Sequence, residues 1–236
     1  MAQPPVTIKE TDMKIHDGDF LTFASIGTAV GVMPLDQQIT FRNCEVAPGI
    51  WRRHPQIGKR SRSDISRDGY LGVVFEAAVN RRKDVLKRII KAGWRRGWSM
   101  GDRGNFDYVN IYPLVPTLYM LFLGKWFPTL PTWIPDIPKY TTGYRAHLTA
   151  LHILTEALAG KSRWSHRNTM SKLYLANPEN PWFITLRSLV FGLDTTDYRF
   201  EFSDQEAAYG WGSCPAEVFK GLTEFTIKLG SKNYGS

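Results

Sequence analysis

Residues 66–98, SRDGYLGVVFEAAVNRRKDVLKRIIKAGWRRGW, constrain the fold more than any other stretch of the chain. From Arg67 to Asn80 the run is apolar on nearly every side, a pattern that suits a helix covered all round. Ser66 stands where its hydroxyl can cap the first turn. After the short break NRRKD, Val85, Leu86, Ile89 and Ile90 form one apolar face with Lys and Arg opposite, so 84–98 predicts an amphipathic helix. A connection that short predicts an antiparallel αα-hairpin.

The same reasoning extends to both sides. Phe20, Phe23, Ala24, Ile26, Gly27 and Val30 recur at helical spacing from Asp19 to Val32, and Pro34 ends the pattern. Residues 35–62 are expected to hold no helix, with Gln38–Val46 alternating as a short extended piece. Further helices are predicted at 113–125, 144–159, 165–175 and 181–192, and shorter ones at 204–209 and 215–222. Four prolines make 126–142 an irregular, aromatic-rich loop, and the alternation in TTDYRFEF (195–202) reads as a short strand.

The predicted fold class is therefore mainly α: antiparallel helical hairpins with long irregular loops and little strand. Apolar helices (67–80, 113–125, 144–159) alternate with amphipathic ones (84–98, 165–175), which suits an inner layer backed by an outer one. At 236 residues with 43% hydrophobic content, disorder throughout is excluded. A polar arm, 1–16, is expected to precede one α-helical domain, 17–236.

Several function classes find no support. The N-terminus lacks the apolar core of a signal peptide. The most apolar stretch, Tyr112–Leu123, contains Pro113 and Pro116 and is far short of the ~20 residues that span a bilayer. Synthesis in the cytoplasm without membrane insertion is the expectation. Cys44 and Cys214 are too few for a disulfide framework or a thiolate metal site; both read as buried small side chains, with a single bridge between them left open. His147 and His152 are five apart, the wrong spacing for a helical metal pair. DGDF, GTAVG and MGDRG match no phosphate-binding glycine loop, and Ser99, Ser165 and Cys214 lie in no nucleophile elbow. No metal or cofactor is expected.

Three groups of residues remain as candidates. The first is acidic: Asp17 and Asp19 before the first helix, Asp64 and Asp68 around the start of 67–80, Asp102 and Asp107 ahead of 113–125. If the inner helices run the same way, these carboxylates collect at one end, as acid/base work on a glycosidic bond requires. Asp is equally a common cap and dipole partner at helix starts. Asp68 is the strongest of them, since an idle charge inside an apolar helix start is costly; a structural pair with Arg67 explains the same facts.

The second group is aromatic. Its members are Trp51, Trp94, Trp98, Tyr108, Tyr112, Tyr119, Trp126, Trp133, Tyr140 and Tyr144. Of these, Trp51, Trp98 and Tyr144 read as platforms for sugar rings, with Arg67, Arg145 and His147 lining the same pocket. Pinning of loops to the body, and for His147 a satisfied core or surface role, are the alternatives. The third is basic. Of the formal charge of +8, Ile50–Arg103 carries more than the whole, fifteen Lys/Arg against five Asp/Glu. Arg52, Arg53, Lys59, Arg60 and Arg62 form its densest part, a contact patch for an acidic polysaccharide, an acidic protein or, with less support, nucleic acid. A solvated helix face accounts for the rest.

Taken together, SRDGYLGVVFEAAVNRRKDVLKRIIKAGWRRGWSMGDR (66–103) resembles one hairpin of the (α/α) toroid folds found in polysaccharide-processing enzymes. It is also similar to small uncharacterised proteins of bacteria and their phages with an S-R-D…G-W…M-G pattern, here Ser66-Arg67-Asp68, Gly97-Trp98 and Met100-Gly101. The resemblance covers about residues 16–160 and implies a partial toroid, since full toroids have about a dozen helices. It places Asp19, Asp68 and Asp102 at inner-helix termini as candidate catalytic groups. The resulting expectation is recognition, with cleavage left open, of a polysaccharide in a groove at those termini. The alternative is a non-enzymatic virion or assembly component that uses the basic loop and the N-terminal arm as contact surfaces. Nucleic-acid binding through 51–103 is the third reading.

Overall fold

The structure is a computed structural model that describes residues 19–54, 65–102, 107–124, 142–159, 166–195, 197–200, 211 and 214–232. The N-terminal arm, Lys59, Arg60 and Arg62 of the basic patch, most of the proline-rich loop and the helical candidate 204–209 lie outside the described residues.

The chain is mainly α-helical with little strand. Its helices are α1 (Phe20–Val30), α2 (Leu35–Asn43), α3 (Arg67–Val79), α4 (Lys83–Arg96), α5 (Val115–Leu123), α6 (Gly143–Leu158), α7 (Arg167–Ala176), α8 (Pro181–Phe191) and α9 (Ala216–Lys232). Two small antiparallel hairpins interrupt them: β1 (Glu45–Ala47) with β2 (Ile50–Trp51), and β3 (Ser99–Asp102) with β4 (Asp107–Asn110). No helix among the described residues is long and apolar enough to cross a membrane.

Most of the predicted helices are present, and their ends follow local chemistry. Ser66 accepts from the Gly69 amide at 2.9 Å and so caps α3, while Asn180 caps α8 by accepting from the amides of Trp182 and Phe183. Gly31, Gly97, Gly124 and Gly192 end α1, α4, α5 and α8 with positive φ.

Residues 35–43 are helical, against the expectation of an extended piece. Pro34 ends the first pattern, but its extended backbone (ψ 150°) also serves as the N-cap of α2. The nine-residue helix buries only Gln37 and Phe41, an i,i+4 pair whose single stripe is easily read as alternation. The sequence from Ser99 to Asn110, expected as loop, forms β3 and β4. Thr195 and 197–200 form no strand; Thr195 instead donates to the Ile227 carbonyl on α9. α9 runs ten residues past the predicted end at 222, because it keeps burying Thr223, Thr226 and Gly230 against its neighbours.

α1 and α3 form the centre of the packing. A Cβ on Gly69 would lie 2.7 Å from Leu21 Cδ2, and one on Gly72 would lie 2.2 Å from Ser25 Oγ and 3.0 Å from the Thr22 carbonyl oxygen. Moving along α3 from 69 to 72 moves the contact along α1 from 21 toward 25, so the two helices run parallel. Their N-termini therefore share one end of the fold. α6 packs on α3, and its first turn reaches that same end, since the Tyr144 hydroxyl donates to Asp19 Oδ1 at 3.4 Å.

The β1–β2 hairpin is clamped across this arrangement. Buried Tyr70 of α3 donates to the Gly49 carbonyl and accepts from the Trp51 amide, both at 3.1 Å. Arg88 of α4 grips Glu45 through both carboxylate oxygens, at 2.7 and 2.8 Å. Gly49 fits because its Cβ would fall 2.3 Å from the Arg88 carbonyl oxygen. The hairpin leads the chain to α1, where the Leu21 amide donates to the Arg53 carbonyl at 3.0 Å. The core is continuous from α1 to α9 and includes both cysteines, which are buried and free.

Candidate functional site

The shared end of α1, α3 and α6 gathers Asp19, Asp68, Tyr144, Arg53 and Arg145. Asp19 occupies the N-cap position of α1, yet its carboxylate takes no capping hydrogen bond from that helix. It accepts instead from Tyr144. Asp68 lies one residue inside α3, where Ser66 already does the capping. Neither carboxylate is thus explained as a cap of its own helix.

Asp68 is the more unusual of the two. Its side chain is half-buried, and among the described residues no hydrogen bond or ion pair reaches it. Burial holds its carboxyl above the usual carboxylate range, opposed by the positive charges of Arg67, Arg53 and Arg145 and assisted by the negative charge of Asp19. The same surroundings raise the Tyr144 hydroxyl: burial first, then the charges of Asp68 and Asp19. The arrangement holds a carboxyl group that keeps its proton to higher pH, a second carboxylate steered by a tyrosine, and two arginines close enough to act on Asp68.

Arg53 arrives at this end because β2 and the Tyr70 clamp carry it there, and His54 packs edge-on against Phe20 at 5.0 Å beside it. Arg52 is partly buried on the same segment, and Arg67 is exposed at the first position of α3. Arg145 follows Tyr144 in the first turn of α6 and is exposed.

Other predicted site residues sit elsewhere. Trp51 is 2% exposed and stacks on Phe41 at 5.4 Å, so it offers no face to a sugar. Trp98 is 8% exposed, with its ring against Gly93. Both are core residues: each anchors the end of a strand or helix where the chain turns. His147 is fully buried among Trp182, Trp211, Phe183 and Phe219. Its Nδ1–H donates to the Gly143 carbonyl at 2.8 Å, and its Nε2 accepts from Asn180 Nδ2 at 3.1 Å. Burial pushes it down to about 4, so it is a neutral imidazole with both nitrogens engaged. None of the three is placed to bind a ligand. Asp102 belongs to β3, opposite Asp107, rather than to a helix start; its side chain lies outside the described residues.

One feature went unread in the sequence, a buried polar cluster joining α5, α6 and the start of α7. Thr117 Oγ1 lies 3.0 Å from His152 Nε2 and donates to Glu156 Oε1 at 3.2 Å. His166 Nε2 lies 2.9 Å from Glu156 Oε2 but off the line of a hydrogen bond, so that contact is one of proximity. The i,i+4 spacing of His152 and Glu156 is visible in the sequence; His166 and Thr117 are brought in only by packing. No three His, Cys, Asp or Glu among the described residues are arranged to hold a metal ion. Trp94 on α4, one of the aromatic candidates, is exposed.

Comparison with family models, with curated proteins and with solved structures finds no match to the chain.

Proposed function

We propose that the protein recognises a polysaccharide and cleaves it at the shared N-terminal end of α1, α3 and α6. The observation that carries this reading is Asp68: a half-buried carboxyl, raised by burial, with no hydrogen bond or ion pair among the described residues. A charge kept in that state costs stability, and such groups cluster where chemistry is done.

Hydrolysis of a glycosidic bond needs one carboxylic acid to protonate the departing oxygen and a second carboxylate to activate water or attack the sugar. Asp68 fits the first role, because its raised affinity for a proton is what a general acid near neutral pH requires. Asp19, steered by Tyr144, fits the second. Arg53 and Arg145 fit an acidic sugar, since both act electrostatically on Asp68 from the same end. A partial toroid is the architecture this reading implies, with the parallel pair α1 and α3 as inner helices.

The test is release of reducing ends from a panel of neutral and acidic polysaccharides. Asp68→Asn is expected to lower turnover by about 10²–10⁴-fold, the size of one general acid, with the melting temperature undiminished. Cleavage by the variant at the wild-type rate, or no cleavage of any polymer by the wild type, overturns the reading.

A second reading, a non-enzymatic assembly component, is favoured by one observation. Leu35 and Ile39, one turn apart on α2, are 72% and 52% exposed, an apolar stripe open to a protein neighbour. Size measurement decides it: a defined oligomer supports assembly, and a monomer at all salt concentrations removes it.

A further inference from the structure

Trp94 is 67% exposed, yet it is held in place. Its indole Nε1–H donates to the Tyr119 hydroxyl on α5. Its ring lies 5.9 Å from Trp98, and Trp98 in turn meets the edge of Tyr119 at 6.3 Å. Trp98 is fixed by its own chain. Its backbone takes φ +63°, its amide donates to the Gly93 carbonyl at 2.7 Å, and a Cβ on Gly93 would fall 2.3 Å from its ring. The exposed indole thus rests on the Trp98 ring with its one polar atom already engaged by the Tyr119 hydroxyl. Much of the ordering that a stacking partner would otherwise impose has been done in folding.

What surrounds the ring narrows the partner. Lys91 and Lys87, both exposed, precede Trp94 by about one and two turns of α4, and Arg95 and Arg96, also exposed, follow it. At 1.5 Å per residue the two lysines lie about 4.5 and 10 Å back along the axis, and about 6 Å from each other. Asp84, exposed and bound to Arg88 at 2.8 Å, ends the row. A polymer with about one carboxylate per sugar matches spaced cations beside one flat apolar face, since sugar rings stack on indoles while uronate groups meet the cationic side chains.

We propose that Trp94, braced by Tyr119 and Trp98, is a second, non-catalytic sugar platform that holds an acidic polysaccharide along α4, its carboxylates over Lys91 and Lys87. The proposal rests on the polysaccharide reading above and names the acidic class of polymer.

Electrophoresis of the full chain through gels containing polygalacturonate tests it, with dextran as the neutral control. The wild type is expected to be retarded by polygalacturonate. Trp94→Ala is expected to weaken that affinity about tenfold, the size of one stacking contact, and Trp94→Phe to restore part of it. Lys87→Gln with Lys91→Gln is expected to weaken it several-fold and flatten its dependence on salt. Retardation and cleavage are read on each variant, which separates the two readings. Loss of cleavage alone concerns Asp68, and loss of retardation alone concerns Trp94. Equal retardation of Trp94→Ala and wild type overturns the platform. So does a wild type that polygalacturonate does not retard, or a single-stranded oligonucleotide that displaces the polymer at equal charge.

Discussion

Two carboxylates on helices that touch have opposite surroundings. Glu156, near the end of α6, is buried among Thr117, His152 and His166, groups drawn from three different segments. Asp68, at the start of α3, is half-buried and meets no hydrogen bond or ion pair among the described residues. A carboxylate whose lone pairs are taken up by neighbours joins helices together. One held out of water without such neighbours raises the free energy of the folded state, and folding alone gives no reason for it. Under the proposed function the contrast gives Glu156 to the fold and Asp68 to the chemistry, and it can be broken from either side.

The largest effect is expected at Glu156. Glu156→Ala strips His152 and His166 of their common acidic neighbour and leaves the Thr117 hydroxyl one acceptor fewer. Urea unfolding should show a loss of about 3 kcal/mol, the upper end of what leaving buried polar groups without a partner costs. Glu156→Gln keeps an acceptor for Thr117 and should lose less. A Glu156→Ala protein as stable as the wild type would erase the distinction from Asp68.

His147 gives the next effect, and its sign follows from burial. Its folded value of about 4 lies below the ordinary 6.5, so between those pH values the unfolded chain binds the proton and the folded chain does not. Stability is therefore complete above about pH 6.5 and falls as the pH drops toward 4, by about 3 kcal/mol at 1.36 kcal/mol per unit. Unfolding free energy measured from pH 8 to pH 4 should show this slope. His147→Phe should lose that share of it, while its stability at pH 8 drops because Asn180 loses its partner. A variant with the wild-type slope would mean that His147 does not titrate in this window.

The sequence made the two carboxylates legible to different degrees. Asp19, Asp68 and Tyr144 were readable because each sits in the first turn of a helix, or just before one, that apolar periodicity marks out. Their convergence needed only that these helices share a direction. The glycine contacts of α1 and α3 supply that direction: Gly69 and Gly72 were visible, but which helix they admit was not. Trp51, Trp98 and His147 were misread for one reason. Aromatic residues near turns look available, whereas Gly93 and the Trp182–Trp211 stack enclose two of them, and Phe41 covers the third. The helical state of 35–43 was hidden because a single buried i,i+4 pair, Gln37 and Phe41, carries almost no periodic signal. The Glu156 cluster depends on Thr117 and His166, each far from Glu156's own turn, which no local pattern records.

Gly72 probes the same end of the fold from the side of packing. A methyl group there would press on Ser25 Oγ and on the Thr22 backbone, and only the first can rotate away. Gly72→Ala is expected to destabilise by about 1–3 kcal/mol through overpacking, read by thermal or urea unfolding. It should also lower turnover, because separating α1 from α3 moves Asp19 away from Asp68. Gly31→Ala, with nothing within 4 Å of its Cβ but a φ of +81°, is the control in which backbone strain alone acts. Lost turnover in Gly31→Ala matching that in Gly72→Ala would show that the site answers to stability in general.

The smallest effect is the most discriminating. Because burial raises the Asp68 carboxyl, the folded chain holds that proton more tightly than the unfolded chain. Its stabilising share is therefore full below about pH 3.8 and lost as the pH rises through the folded value. Asp68→Asn removes the ionisable group without changing the shape of the side chain. At pH 7 its melting temperature should equal or slightly exceed the wild type's, by a free energy of no more than about 1 kcal/mol, and the difference should shrink toward pH 4. A structural aspartate predicts the reverse, a loss at pH 7 as large as that of a broken ion pair. The shift in melting temperature between pH 4 and pH 7 thus tests the contrast with Glu156 before any substrate is known.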